Sequence, residues 1–510
     1  MFGPVAALDD LSFSIARGTI HAIIGENGAG KTTAMRILFG LEAATSGQIL
    51  FNGAAKKWSS PRGAMASGLG MVHQHFMLSP THSALDNVIL GRENGVSSGL
   101  GFWQRFLAPI KREALRQELQ ALSTNVGFAI PWDQPVESLS VGTQQQLEVI
   151  KLLHAGVDVM IFDEPTAVLS PDETQKFLAM LLRINKLGRT IIVITHKLKE
   201  VKAIADQISV LRRGKIVANV ACKDVTEQNM ADLMVGRHVH LGELPRQNNP
   251  IGKRLLAIKN LTLARTGAKN ILTNISLDVA AGQIVGIAGV EGSGQNELLK
   301  FIRAPRTVFD GQKSRDGTLE LFGHEAQDWS QHHIRKQSIG IIPSDRIREA
   351  VLVDESLLEN DLLGHDHEFG TGRWIGYQWI DRTKARLRLS QVLKTFDVRP
   401  QNPDARLGSL SGGNQQKFTM ARELSRNPKL ILCAQPTRGV DVGSIEQIHK
   451  EILHRRDDGA AILLVSSQLE ELMALSDVIH VLFEGSVVST LQRADFSEAS
   501  IGIAMGGGAK

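Results

Sequence analysis

Short apolar runs alternate along this chain with segments whose apolar positions recur every three or four residues. Ile20-His21-Ala22-Ile23-Ile24 has the make-up of a buried strand. From Thr33 to Phe39 a helix follows, with Met35, Leu38 and Phe39 on one face and Gly40 as its stop. Val157 to Phe162 and Thr190 to Thr195 are two further buried-strand runs. Between them, Thr174 to Leu187 sets Phe177, Leu178, Leu181, Leu182 and Ile184 at helical spacing. Arg112 to Leu122, with Leu115, Leu119 and Leu122, predicts a helix of a separate helical subdomain. Strands and helices alternating in this way predict an α/β fold built on a mainly parallel sheet. Gly91 to Gly101 reads as a glycine- and serine-rich loop, and Gly506 to Lys510 as a frayed tail.

The pattern occurs twice. Leu8-Asp9-Asp10-Leu11-Ser12 is echoed by Leu272-Thr273-Asn274-Ile275-Ser276, and Gly25 to Lys31 by Gly289 to Gln295, both displaced by 264 residues. Later pairs are displaced by 271: Leu139-Ser140-Val141-Gly142 against Leu410-Ser411-Gly412-Gly413, Pro165-Thr166 against Pro436-Thr437, and Asp206 against Asp477. Offsets this steady describe two copies of one domain, the second carrying a net insertion of seven residues. The first copy is placed at 1–241 and the second at 254–510. Between them 242–253, with Pro245, Gln247, Asn248, Asn249 and Pro250, reads as a linker. The second copy opens with a strand over Leu255 to Leu263, whose counterpart would fall before residue 1. The first copy is therefore expected to lack that edge strand, with the true start lying upstream.

Composition narrows the class. A chain of 510 residues is too long for one core. Its 43% hydrophobic and 22% charged residues are ordinary for a soluble protein. No apolar run approaches a membrane span, and no N-terminal segment has the pattern of a signal peptide. Cys222 and Cys433 follow no metal spacing, which suits a reduced setting. A net charge of +4 is compatible with an anionic membrane face, and no basic stripe marks a nucleic-acid surface.

The candidate chemistry starts at Gly25-Glu26-Asn27-Gly28-Ala29-Gly30-Lys31-Thr32, which fits G-x-x-x-x-G-K-[ST] between a strand and a helix. Glycines there let backbone N–H groups turn toward phosphate oxygens, and the helix N-terminus adds partial positive charge. Lys31 can reach the outer phosphates, and Thr32, followed by Thr33, can ligate Mg²⁺. The competing reading is an ordinary glycine-rich turn. Asp163 ends a hydrophobic strand, where a carboxylate can join a Mg²⁺ shell, and Glu164 beside it can polarise an attacking water. The competing reading here is a solvated acidic turn. His73 and His75 would share one face of a strand, but without further ligands a metal reading is set aside. His332, His333, His365 and His367 are read as surface residues.

Leu139-Ser140-Val141-Gly142-Thr143-Gln144-Gln145 and Leu410-Ser411-Gly412-Gly413-Asn414-Gln415-Gln416 resemble the signature motif of ATP-binding cassette (ABC) ATPases. The resemblance spans nearly the whole chain. It implies two tandem P-loop NTPase domains, each with a RecA-like core, a β-subdomain and a helical subdomain, and it implies ATP and Mg²⁺. By that likeness Gln74 matches the Q-loop glutamine beside the metal, His196 the switch histidine, and Phe2 the ring that stacks on adenine. Ser411, Gly412 and Gly413 match the clamp that the family brings to a γ-phosphate from the opposite cassette of a head-to-tail pair.

The second copy departs from the pattern wherever chemistry is required. Gln295 and Asn296 replace the loop Lys and Thr, and Ala434 and Gln435 replace the Asp-Glu pair. Ser467 replaces the switch histidine, Ser344 falls near the Q-loop position, and Thr266 stands where an aromatic would stack. Joint loss of cation, metal ligand and carboxylate is a coherent loss of hydrolysis. One hydrolytic site per chain is expected.

Fused cassettes with a degenerate second half resemble the ATPase subunit of bacterial sugar and nucleoside importers. Met71-Val72-His73-Gln74-His75-Phe76-Met77-Leu78, Ile194-Thr195-His196-Lys197-Leu198 and Ala434-Gln435-Pro436-Thr437-Arg438-Gly439 are similar to its nucleoside-type branch. That likeness implies two membrane permease subunits, an extracytoplasmic solute-binding protein, no nucleic acid, and a peripheral place on the cytoplasmic face of the plasma membrane. The rival is a soluble double-cassette ATPase acting on ribosomes or DNA. It is opposed by the short linker, the broken second site and the absence of cysteine-rich modules. A regulatory pseudo-ATPase is opposed by the intact Lys31, Asp163, Glu164 and His196.

Overall fold

The computed structural model describes residues 6–73, 76–90, 112–166, 169, 171–239, 244–247, 250–265, 270–290, 292–306, 312–374 and 377–508. Phe2, Gln74, His75, Thr266 and the loop from Gly91 to Gly101 lie outside them. The chain divides into two compact units, Met1–Val239 and His240–Lys510.

The strands of the first unit are β1 Ile20–Ile24, β2 Ile49–Phe51, β3 Ala54–Lys56, β4 Leu69–Val72, β5 Val159–Asp163, β6 Thr190–Thr195, β7 Gln207–Arg212 and β8 Lys215–Ala221. Six form one sheet in the order β4-β5-β6-β1-β7-β8. All its pairs are parallel except the last. Every residue of β1 and β6 is buried, which is why both read as unbroken apolar runs. Phe162, Met160, Ile191 and Val193 face one core layer, where Leu119, Leu147, Leu181 and Ile184 cover them. Ile23, Ile161, Ile192 and Ile194 face the other, against Met35 and Phe39 of the segment after the glycine loop. Two of the predicted helices run Arg112–Val126 and Pro171–Lys186, each longer than its apolar periodicity suggested.

Register fixes where the chemistry emerges. Ile24 lies opposite Thr195, and Asp163 opposite Ile194. The glycine loop, the acidic pair and His196 therefore leave neighbouring strands at the carboxyl edge of the sheet, the usual ligand edge of open α/β folds.

The second unit contains β9 Arg254–Arg265, β10 Leu272–Ala280, β11 Ile284–Ala288, β12 Gln312–Leu321, β13 His324–Glu325, β14 Ile339–Ile342, β15 Gly370–Trp374, β16 Tyr377–Ile380, β17 Leu430–Ala434, β18 Ala461–Val465, β19 Val478–Phe483 and β20 Ser486–Gln492. Its main sheet, β14-β17-β18-β11-β19-β20, repeats the first. It also holds an antiparallel sheet, β10-β9-β12-β13. Among the described residues the first unit shows only the β2–β3 pair in that place. Its segment 8–15 keeps the bond from Asp9 N–H to the Gly214 carbonyl, 2.9 Å, matched by Thr273 to Gly485 at 2.8 Å. No strand forms along 8–15, because the described residues offer no ladder partner equivalent to β9. Leu8, Leu11, Phe13 and Ile15 are only half-buried, whereas Leu272, Ile275, Leu277 and Val279 are buried.

The described part of the linker is anchored to the second unit. Leu244 joins that unit's core, Arg246 pairs with Asp477 at 2.7 Å, and Gly252 N–H donates to the Ala281 carbonyl at 2.8 Å. His365 is not a surface residue: it is buried between Glu368 (3.4 Å) and Glu423 (3.7 Å), whose carboxylates compensate for its desolvation. His332, His333 and His367 are exposed.

Candidate functional site

The glycine loop follows β1 and opens the helix Lys31–Leu38. Gly30 holds the N-cap at φ 104°, and a side chain there would strike the Ala7 carbonyl oxygen at 2.7 Å. Gly25 is needed for close approach, since a Cβ would lie 2.2 Å from the Leu211 carbonyl oxygen. Ala29 N–H donates to the Glu26 carbonyl at 3.1 Å, so the turn through Asn27 and Gly28 is closed. Lys31 is buried and folds back, donating to the carbonyls of Gly25 (2.7 Å) and Glu26 (3.0 Å). Thr32 and Thr33 occupy the next positions of the helix.

Thr32 Oγ1 donates to Asp163 Oδ1 at 3.4 Å. Burial pushes the Asp163 carboxyl above its ordinary range, against the Thr32 hydrogen bond, and the neighbouring Glu164 charge adds to the rise. A hydroxyl and a carboxylate converging here are the hard oxygen donors that suit Mg²⁺. Glu164 sits in the left-handed region at φ 47°, with its N–H donating to the Ile194 carbonyl at 2.9 Å. Its Oε1 lies 3.1 Å from His196 Nδ1. The His196 hydrogen bond holds the Glu164 carboxyl below its ordinary range, outweighing burial, and the charges of Lys31 and Lys197 contribute. The site thus sets a carboxyl raised by burial next to a carboxylate lowered by its histidine partner. His73 packs edge-on against Phe39 at 6.0 Å, a packing role.

The second unit keeps this frame without its chemistry. Gly294 repeats the cap at φ 105°. Gln295 is buried and donates to the Val290 carbonyl at 3.1 Å, one of the two carbonyl bonds of Lys31. Gln435 repeats the left-handed turn at φ 48°, and its N–H donates to the Val465 carbonyl at 2.7 Å. Its Oε1 accepts from Ser467 Oγ at 3.1 Å, where Glu164 meets His196. Ala434 leaves no carboxylate, and Ser344 Oγ reaches Asn296 Oδ1 at 3.4 Å.

Both signature segments cap helices. Ser140 Oγ accepts from Thr143 N–H at 3.2 Å at the start of Val141–His154. Ser411 Oγ accepts from Asn414 N–H at 3.4 Å at the start of Gly412–Leu424. A Cβ on Gly412 would meet the Arg346 guanidinium at 3.0 Å. The Arg346 guanidinium was not legible from the motif, although Gly412, at the position that Val141 holds in the first copy, was its visible trace. Gln145, Thr166, Lys197 and Glu200 were missed too. Gln145 Nε2 donates to the Pro165 carbonyl at 2.7 Å, just past Glu164.

The sequence matches the ABC transporter family over residues 8–167 and 272–438. It is 37% identical to the nucleoside import ATP-binding protein NupA of Lactococcus lactis subsp. cremoris, covering 99% of this chain and 96% of that one. It is 38% identical to the guanosine import ATP-binding protein NupO of Bacillus subtilis, covering 99% and 95%. It is 32% identical to the ribose import ATP-binding protein RbsA of Caldanaerobacter subterraneus, covering 99% and 97%. Among solved structures, the archaeal ribosome recycling factor aABCE1 in complex with the stalk protein aP1 superposes with TM-score 0.57 at 17% identity, covering 97% of this chain and 90% of that one. That likeness is one of fold.

Proposed function

The chain belongs to the ABC transporter family, and from that membership we propose that it is the ATP-hydrolysing subunit of an importer for nucleosides or simple sugars. The observation that carries the reading is the Glu164–His196 pair, 3.1 Å apart, beside the buried Lys31 of an intact phosphate loop. The relatives that match over nearly its full length are import ATP-binding proteins.

In this reading the loop Gly25 to Thr33 binds the phosphates, with Phe2 stacking on the base. Glu164, held ionised, orients and polarises the attacking water, and His196 fixes the carboxylate and contacts the outgoing phosphate. Thr32, Asp163 and Gln74 would hold Mg²⁺, which supplies charge neutralisation on the phosphate oxygens. Ser411, Gly412 and Gly413 serve as the γ-phosphate clamp. The second unit, with Gln295, Ala434, Gln435 and Ser467, does not hydrolyse. No helix among the described residues is long and apolar enough to cross a membrane. Import then requires two integral-membrane permease subunits and an extracytoplasmic solute-binding protein, with this chain peripheral on the cytoplasmic face of the plasma membrane.

The test is co-purification. The tagged chain should carry permease subunits from detergent-solubilised membranes, and its ATPase rate in that complex should rise with a nucleoside-loaded binding protein. Sedimentation with ribosomes instead, and no stimulation by any nucleoside or sugar, would overturn the reading.

A further inference from the structure

We propose that Lys197 is a positioning residue for hydrolysis, tethering the turn that presents Glu164. The inference rests on the assignment of the first unit as the hydrolytic one. Lys197 Nζ donates to the Thr166 carbonyl at 2.8 Å and lies 3.1 Å from Glu200 Oε1. Thr166 Oγ1 closes the triangle by donating to Glu200 Oε2 at 2.6 Å. Thr166 is 1% exposed, in a pocket lined mainly by Ile20, Leu178, Leu181, Val193 and Val201. Water has little access to such a carbonyl, so a charged donor there is a strong anchor.

The anchor matters because of where it sits. Glu164 is in a left-handed conformation that an L residue adopts only when its surroundings hold it. Its N–H is tied to Ile194 of β6 at 2.9 Å. The next carbonyl, of Pro165, is tied by Gln145 at 2.7 Å, and the one after by Lys197. Lys197 directly follows His196, so one backbone step aims the imidazole at Glu164 and the ammonium at the turn behind it.

The second unit supplies the comparison. Gln416 still donates to the Pro436 carbonyl at 2.9 Å, so the first tether is common to both units. The lysine is replaced by Gln468. Glu471, in the place of Glu200, turns to His449 Nε2 at 3.0 Å, and His449 stands where the first unit has Leu178. The second tether is thus lost in the unit that also lost the carboxylate and the histidine. The turn itself persists at Gln435 on the first tether alone, so the lysine is not needed for the turn to form, and its part is to fix where the turn sits.

In the purified full chain, Lys197→Gln is expected to lower kcat for ATP by about ten- to a hundred-fold, because small misplacements of a catalytic group cost that much. KM for ATP should stay within about two-fold, and Lys197→Arg should recover most of kcat, since both side chains bring a cation to the carbonyl. A wild-type chain without ATPase activity, or an active Glu164→Gln, would overturn the hydrolytic assignment itself. An active wild type and an inactive Glu164→Gln, together with unchanged kcat in Lys197→Gln, would overturn the positioning role alone. So would a loss of kcat that Lys197→Arg does not recover and that follows the melting temperature.

Discussion

Glu164 Oε1 and His196 Nδ1 stand 3.1 Å apart, and in the second unit Gln435 Oε1 and Ser467 Oγ repeat the contact at the same distance. The hydrogen-bonded frame has been retained while the ionisable groups have been exchanged for neutral ones. A neutral amide cannot take a proton from water, and a serine hydroxyl carries no charge to a phosphate. The two units are therefore alike in geometry and unlike in what they can do.

Restoring the pair alone should not restore chemistry. Gln435→Glu with Ser467→His is expected to leave the ATPase rate within about two-fold of wild type, since Gln295 and Ala434 still lack the cation and the metal ligand. A phosphate-release assay on the double variant checks this.

A bulky cation at the clamp should stop turnover. Ser411→Arg removes the cap of Gly412–Leu424 and crowds its first turn. We expect a loss of about 10²-fold or more in kcat, with bound ATP still measurable by equilibrium dialysis. Because the second unit's own loop lacks the catalytic groups, that loss would tie Ser411 to turnover rather than to its own unit's loop.

His365 gives the second unit a pH dependence. Burial and the Arg426 charge press the His365 pKa down, but the nearby carboxylates of Glu368 and Glu423 outweigh them and raise it above the ordinary 6.5. A histidine raised in the folded state stabilises fully below its unfolded value, and that contribution is lost as pH climbs through the folded one. The melting temperature of the second unit should fall as pH is taken from about 6 to about 9. His365→Gln should flatten that fall, as read by calorimetry of the full chain.

The half-buried segment 8–15 predicts unequal core sensitivity. Ile275→Ala should cost about 2–5 kcal/mol in the second unit. Leu11→Ala, at the matching place in the first, should cost about half as much, because its side chain already meets solvent. Denaturant unfolding followed unit by unit separates the two.

Much of this was legible in the residues. β1 and β6 were readable to the residue because all their side chains are buried. The place of Asp163 at the end of β5 was readable because the apolar run before it stops there. What stayed hidden depended on tertiary contact. Lys197 meets Thr166 only because β5 and β6 pair in parallel register. His365 is buried because Glu423, far along the chain, comes to meet it. The lost strand character of 8–15 reflects a pairing partner, not the segment's own pattern, which matches β10.

The central claim is a single hydrolytic centre in the first unit, and Glu164→Gln tests it most directly. Steady-state phosphate release by the purified chain should fall by about 10²–10⁴-fold while ATP binding persists. Retention of turnover within a few-fold of wild type would contradict the account.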